Sequence, residues 1–443
     1  MSTIAAVSTP AGAGGIGIVR VSGEDALGIA DALFVCRSAA GKSTGETLAA
    51  SPLTMHFGEF VAEDFRDRGY AVYFPAKKAY TGEDTVEFYL HGGVRIMRGA
   101  LDECLRKGAR LAERGEFTRR AFLAGRMSLA DAEGVADMIN AESAAGLRAA
   151  YRLMDGSVAR AINKVQARLL DVMTGLEVVL DYPEETEDEV LPPLAVNVTA
   201  VLDDVNALLA TARQGRMAKH GITAVPAGES NAGKSSLFNA LLGDNRAIVT
   251  PVAGTTRDTV EGSIECDGVR INLVDTAGLR DSADVVESEG IARARRAAEH
   301  ADVVVLVLDT TADGWREYDF GDTPVFRVRN KCDLTSYACP RMFGCFAVSA
   351  KEGVGVDALR HAIASLYREG KTQGGEIITS ERHLSALYRA KNALESAVGD
   401  INNTADCVLV NLREAYDALG EITGSTASEA VVESVFSKFC VGK

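Results

Sequence analysis

GESNAGKSS, residues 228–236, fits GxxxxGK[ST] and lies between an apolar run, Ile222 to Ala227, and the helix-compatible LFNALL that follows. Glycines let backbone N–H groups close on phosphate oxygens, the lysine reaches the outer phosphates, and the next hydroxyl can ligate Mg²⁺. The contacts to a nucleotide expected from this loop are Asn231, Ala232, Gly233, Lys234, Ser235 and Ser236, with Ser235 on Mg²⁺. From 221 to 368 strand and helix patterns alternate, and the unbroken apolar run Val303 to Leu308 reads as a strand buried on both faces. The segment is therefore expected to be a doubly wound α/β domain of the P-loop kind.

Four further loops lie downstream. DTAG (275–278) ends the strand pattern INLV, which puts Asp275 where an acid can orient the Mg²⁺ sphere. Thr276 and Ala277 lead from it to Gly278, whose N–H can sense the γ-phosphate. GTTRD (254–258) lies between the two, and Thr256 can add a hydroxyl to Mg²⁺ when that loop closes, as a conformational switch does. NKCD (330–333) brings Asn330 to a purine edge, with Lys331 beside it, and Asp333 to the paired donors of a guanine ring. Adenine offers no such pair, so the carboxylate selects GTP. SAK (349–351), meaning Ser349, Ala350 and Lys351, adds a backbone N–H near the guanine oxygen.

The residue after DTAG is Leu279, and an aliphatic side chain holds no water. Two candidates can supply what a glutamine and an arginine finger otherwise provide. Glu287 follows the switch and can orient the attacking water, and a monovalent cation beside Asn231 can put positive charge on the phosphates. Lys234 completes the candidate catalytic set.

The 443 residues are enough for two to four domains. Lys and Arg number 47 against 62 Asp and Glu, a formal charge of −15, so general attraction to nucleic-acid phosphate is excluded as a mode of binding. Eight cysteines at 36, 104, 266, 332, 339, 345, 407 and 440 form no CxxC pair and read as reduced thiols. No strongly apolar run approaches the roughly 20 residues of a membrane span, and the start MSTIAAVSTPAGAGG has no export signal. Cytoplasm is the expected compartment.

Residues 1 to about 115 alternate β-prone runs, Thr3 to Val7, Gly17 to Val21, Ala71 to Phe74 and Val86 to His91, with helical stretches, as in an α+β domain. From 118 to 215 apolar residues recur at helical spacing, as in Leu169, Val172, Met173, Leu176, Val179 and Leu180. DYPEETEDEVLPP (181–193), acidic and proline-bounded, predicts a solvated loop between helices. After KTQGGE (371–376) the pattern is helical again, so the tail is expected to complete the helical unit around an inserted nucleotide domain.

Outside the nucleotide loops, five stretches carry a resemblance: STPAGAGGIGIVRVSG (8–23), YTGEDTVEFYLHGG (80–93), GEFTRRAFLAGRMSLADAEGVADMI (115–139), GEITG (420–424) and FCVGK (439–443). With them the chain resembles, end to end, the MnmE (TrmE) family of tRNA-modification GTPases. The resemblance implies four segments: 1–117, an N-terminal dimerisation and formyl-tetrahydrofolate domain; 118–220, the first helical half; 221–368, the GTPase domain; 369–443, the second helical half. It implies 5-formyl-tetrahydrofolate or a related folate held by Arg20, Glu87, Arg126 and Lys443, with Cys440 approaching it. Arg126 stands where the family usually has a lysine.

It also implies a K⁺ site on Asn231, Thr250, Val252 and Thr255, and carries Thr250, Pro251, Val252, Ala253, Gly254, Thr255 and Thr256 into the GTP contacts. Glu287 is the implied water-orienting acid. A homodimer joined to a flavin-dependent MnmG-type partner, in a heterotetramer or larger, would act on tRNA away from any membrane. The reaction implied adds a carboxymethylaminomethyl or aminomethyl group to carbon 5 of the wobble uridine. A GTP-switched, ribosome-associated assembly factor without modification chemistry shares the GTPase core and is the alternative reading.

Overall fold

A computed structural model describes residues 2–37, 45, 47–229, 231–243, 260–274, 298–299, 301–311, 318–334, 344–367, 376–401 and 405–443; for 183–192, 260 and 261 it describes the backbone alone. The chain forms two compact units, one from 1–136, 153–195 and 396–443, the other from 137–152 and 196–395.

In the first unit seven strands form one sheet: β1 (Ile4–Val7), β2 (Gly14–Ser22), β3 (Phe34–Cys36), β4 (His56–Val61), β5 (Arg66–Phe74), β6 (Thr85–Gly92) and β7 (Arg110–Leu111). Their order is β3-β4-β5-β6-β2-β1-β7, antiparallel except where β7 pairs parallel with β1. The four β-prone runs expected from sequence fall in β1, β2, β5 and β6. Alternation along the strands sends Val19, Val21, Phe60 and Phe88 into a core closed by helices Ala26–Leu33 and Val94–Arg106. The opposite register carries Arg20 and Glu87, which pair across β2 and β6.

Helix Ser157–Asp181 belongs to the same unit and buries Ile162, Val165, Leu169, Met173, Leu176 and Val179 at helical spacing. Its partner is helix Ala405–Thr423, which buries Leu412, Ala415 and Leu419; Gln166 donates to the Tyr416 carbonyl at 3.0 Å. Val172 lies at the edge of the buried stripe, and Leu180 is exposed.

The expected loop at 181–193 is corrected. Only Tyr182 breaks the helix, and a second helix runs Pro183–Ala210. Proline is well placed at a first helical position, and acidic residues there suit the helix dipole. Beyond the double proline, Leu194, Val198, Val201 and Val205 are buried on one face, and that packing outweighs the local signal. The helical stretch Pro193–His220, with a turn at Thr211, is also the one stretch among the described residues long and apolar enough to cross a bilayer. Its one-sided burial at spacings of three and four is the pattern of an amphipathic helix packed against a core.

The second unit holds β8 (Ile222–Ala227), β9 (Val260–Cys266), β10 (Val269–Val274), β11 (Val303–Asp309), β12 (Val325–Asn330) and β13 (Cys345–Ala347). Their order is β13-β12-β11-β8-β10-β9, parallel throughout except for the β9–β10 hairpin. Val303, Val305 and Val307 pack under helices Lys234–Leu242 and Val356–Ala364, while Val304 and Leu306 meet Phe320 and Ala298 on the other face. Burial on both faces explains why β11 is apolar without alternation, each such side chain contributing about 1.5–3 kcal/mol. The order reverses around β8, and the loops leaving the strands' carboxyl ends gather there, where open α/β sheets bind ligands.

Candidate functional site

The first loop starts where β8 ends. Gly228 has φ +131°, and a Cβ on it would lie 2.1 Å from the Val307 carbonyl oxygen of β11. No other residue fits that approach without moving the sheet. Asn231 takes φ +66° with its side chain exposed, and Gly233, at φ +89°, is the N-cap of helix Lys234–Leu242. Lys234 Nζ donates to the carbonyls of Gly228 at 2.9 Å and Glu229 at 2.8 Å, which bends it back across the loop. Ser235 and Ser236 are exposed in the first turn of the helix, where its amide groups and dipole favour an anion.

Asn330, at the end of β12, is buried and joins three loops. Its Nδ2 donates to the carbonyl of Ala232 at 3.0 Å and of Gly233 at 3.5 Å, and its Oδ1 accepts from Ala350 N–H at 3.0 Å. A Cβ on Gly233 would come within 2.2 Å of that Nδ2. Phosphate loop and base loops are thus fixed to each other through one amide. Two supporting residues were missed from sequence. Asp309 pairs with Lys331 Nζ at 2.6 Å, and the Thr310 hydroxyl donates to the Asn330 carbonyl. The available signal was the acid that closes the apolar run of β11, at a carboxyl end.

Asp333 is exposed and accepts from the Ser349 hydroxyl at 2.6 Å. That hydrogen bond holds its carboxyl below the ordinary carboxylate range, so the group stays ionised and able to accept from paired donors. Burial raises the Asp309 carboxyl, but the Lys331 ammonium and the Thr311 donors outweigh it and leave the group lowered. Ser349 is buried, and its N–H donates to Val354 at 2.9 Å, while Lys351 is exposed. Thr250 to Thr256, Asp275 to Gly278, Leu279 and Glu287 lie outside the described residues.

In the first unit, Arg20 Nε donates to Glu87 Oε1 at 2.7 Å, and Tyr89, two residues on along β6, donates its hydroxyl to Glu87 Oε2 at 2.6 Å. The Arg20 guanidinium lies 5.4 Å from the centre of the Phe117 ring. Burial and then the Glu87 carboxylate push the Tyr89 hydroxyl up to about 12, so it remains a donor. Arg126 donates to the Ala76 carbonyl at 2.6 Å, at the start of the loop that carries Tyr80, and Tyr80 feels the Arg20 charge. The chain end returns to the same sheet: Gly442 O accepts from Ser8 Oγ at 3.1 Å, and Cys440 O accepts from Gly115 N–H at 3.4 Å. Arg20 and Glu87 are in direct contact, whereas Arg126 bonds to the Ala76 carbonyl and not to that pair, and Lys443 follows the segment docked beside β1 and β2. Tyr89 and Phe117 are additions that sequence reading missed; only strand register could have found Tyr89, on the face of Glu87.

A doubly wound sheet whose phosphate loop is tied to NKCD and SAK loops defines a P-loop GTPase. Residues 129–440 match the family model described as the MnmE helical domain, and residues 3–126 that of the GTP-binding protein TrmE N-terminus. The tRNA modification GTPase MnmE of Bordetella petrii is 42% identical over 99% of this chain and 98% of its own length. That of Laribacter hongkongensis is 40% identical over 100% and 99%. The chain belongs to the MnmE family of tRNA modification GTPases. Among solved structures, the G domain of the T. maritima FeoB iron transporter is 24% identical over 33% of this chain and 99% of that chain, with a TM-score of 0.24.

Proposed function

We propose that this chain is a K⁺-stimulated GTPase that acts with a flavin-dependent MnmG-type partner to add a carboxymethylaminomethyl or aminomethyl group to carbon 5 of the wobble uridine of certain tRNAs. Full-length membership of a tRNA modification GTPase family supports the reaction. The single structural observation that carries the nucleotide half is the buried Asn330 amide, which sets the phosphate loop against the guanine-reading loops.

In this reading Lys234 leaves the Gly228 and Glu229 carbonyls for the outer phosphates, and the first turn of helix Lys234–Leu242 receives them. Asp333, kept ionised by Ser349, accepts from the guanine ring N–H and amine. Ser235 and Thr256 offer the hard oxygens that Mg²⁺ requires, and Mg²⁺ when bound neutralises charge on the phosphates. Asn231, with Thr250, Val252 and Thr255, would hold K⁺; the exposed side chain of Asn231 fits that task. Glu287 orients the water that Leu279 cannot hold.

The set in the first unit fits a folate chemically, since Glu87 accepts while Arg20, Arg126 and Lys443 are cationic toward a glutamate tail. A homodimer, a larger assembly with the partner, tRNA as substrate and a cytoplasmic location complete the proposal. The net charge of −15 suits it, because the partner would hold most of the tRNA.

Hydrolysis of GTP in K⁺ against Na⁺ tests the cation: the rate falls sharply in Na⁺, and Asn231→Ala removes the difference. Equal rates in both salts rule the K⁺ site out. Glu287→Ala is expected to lose turnover with nucleotide affinity retained; a parallel loss of binding contradicts its role.

A further inference from the structure

The β9–β10 hairpin carries a cluster that the GTPase reading does not use. Its turn is Asp267-Gly268, with Cys266 and Val269 paired across it and φ of +51° and +77° at the two central residues. These are the left-handed values a two-residue hairpin needs, which makes Asp-Gly the fitting pair. The turn is held in place, because the Gly268 carbonyl accepts from Ala145 N–H at 2.8 Å. Beside it lies helix Val356–Ala364, anchored by Arg360, whose Nε and Nη2 donate to the carbonyls of Leu241 at 3.0 Å and Ala240 at 2.7 Å.

His361 on that helix faces the turn. Its Nδ1 is 2.9 Å from Asp267 Oδ2, 3.1 Å from Asp267 Oδ1 and 3.7 Å from Cys266 Sγ. One sulfur, one imidazole nitrogen and one carboxylate oxygen therefore lie within 4.8 Å of one another. Around a tetrahedral Zn²⁺, bonds of about 2.0–2.3 Å place ligand atoms about 3.3–3.6 Å apart. The imidazole nitrogen stands 3.7 Å from the sulfur and 2.9 Å from the nearer carboxylate oxygen, close to that spacing.

We infer that Cys266, Asp267 and His361 form a binding site for a borderline-soft divalent cation of the zinc class, with solvent in the fourth position. Sulfur and imidazole donors exclude Mg²⁺ and Ca²⁺, which take oxygen sets, and favour Zn²⁺. Asp357, one turn before His361, lies outside the cluster and accepts from Arg360 at 2.7 Å. In the metal-free protein burial raises the Cys266 thiol and Asp267 adds to the rise, so the ion would bind with release of a proton.

The ion has no part in hydrolysis. The cluster sits at the turn, whereas Val260 and Val274 pair at the other end of the hairpin, about 20 Å away along the strands. Both switch segments leave from that far end, at 259 and 275. A metal at the turn would bind the hairpin to the helix Val356–Ala364 and stiffen the strand pair from which the switches spring.

The test uses full-length protein stripped with a chelator, then titrated with Zn²⁺ alone and separately with Co²⁺ as a spectroscopic probe. The expected result is one ion per chain, with a thiolate-to-Co²⁺ charge-transfer band. Cys266→Ser abolishes the band, and His361→Gln weakens Zn²⁺ binding at least about tenfold. Zn²⁺ should also slow alkylation of Cys266, mapped by mass spectrometry, relative to the exposed Cys407, a readout that needs no variant. A band retained in Cys266→Ser, or Cys266 alkylated at the same rate with and without Zn²⁺, overturns the site.

Discussion

The two sheets place chemistry by different means. In the parallel sheet of the second unit the strands are buried on both faces, and function gathers in backbone groups and short loops at their carboxyl ends. In the antiparallel sheet of the first unit, the proposed folate contacts lie on the strands themselves, as side chains paired across neighbours: Arg20 on β2 and Glu87 on β6, with Tyr89 bonded to Glu87. A loop site depends on backbone geometry and therefore on glycine and on single tying amides. A strand site depends on register, since one residue of slip turns every side chain to the other face.

That contrast can be broken most forcefully at the phosphate loop. Lys234→Ala is expected to weaken GTP binding about 10- to 100-fold by loss of a charged hydrogen-bond donor, measured by titration with a fluorescent guanine nucleotide. Unchanged affinity would mean that the loop does not hold phosphates.

Asn330→Ala should cost about 1–3 kcal/mol in unfolding of the second unit, because it strands the buried Ala232 carbonyl and the half-buried Ala350 N–H, and should also weaken nucleotide binding. Denaturant melts with and without GTP read both effects; an effect on binding alone would show that the tie is dispensable to the fold. In the strand site Arg20→Ala leaves Glu87 without its cation, at an expected cost of about 1 kcal/mol, with Arg20→Lys milder. Folate binding by calorimetry should fall in both variants while GTP affinity stays constant, which separates the two sites.

The smallest effect is electrostatic. The Asp267 carboxylate, through its hydrogen bond and its charge, raises the His361 imidazole above its ordinary value. Stability from this pair is present below the unfolded histidine value and is lost as pH rises through the raised folded one. An NMR titration of chelator-treated protein should show that upward shift, and Asp267→Asn should remove it.

How much could be read beforehand follows the same division. GKS, NKCD and SAK are local strings, so Lys234, Ser235, Asn330, Asp333 and Ser349 were legible as a set. The support from Asp309 and Thr310 was not, because it comes from an adjacent strand. Arg20 and Glu87 came only from family resemblance; their contact is a cross-strand register that no spacing in sequence encodes. The acidic, proline-bounded stretch at 181–193 misled for another reason: its local signals suit a loop and a helix start equally, and burial of Val198, Val201 and Val205 decided the matter.

The central claim joins GTP turnover to the wobble base, and tRNA nucleosides of a deletion strain, separated and weighed by mass spectrometry, test it most directly. The account predicts loss of the carbon-5-modified wobble uridines, restored by the intact gene and not by one carrying Lys234→Ala. An unchanged nucleoside profile in the deletion strain would contradict it and leave a GTP-switched assembly factor as the better description.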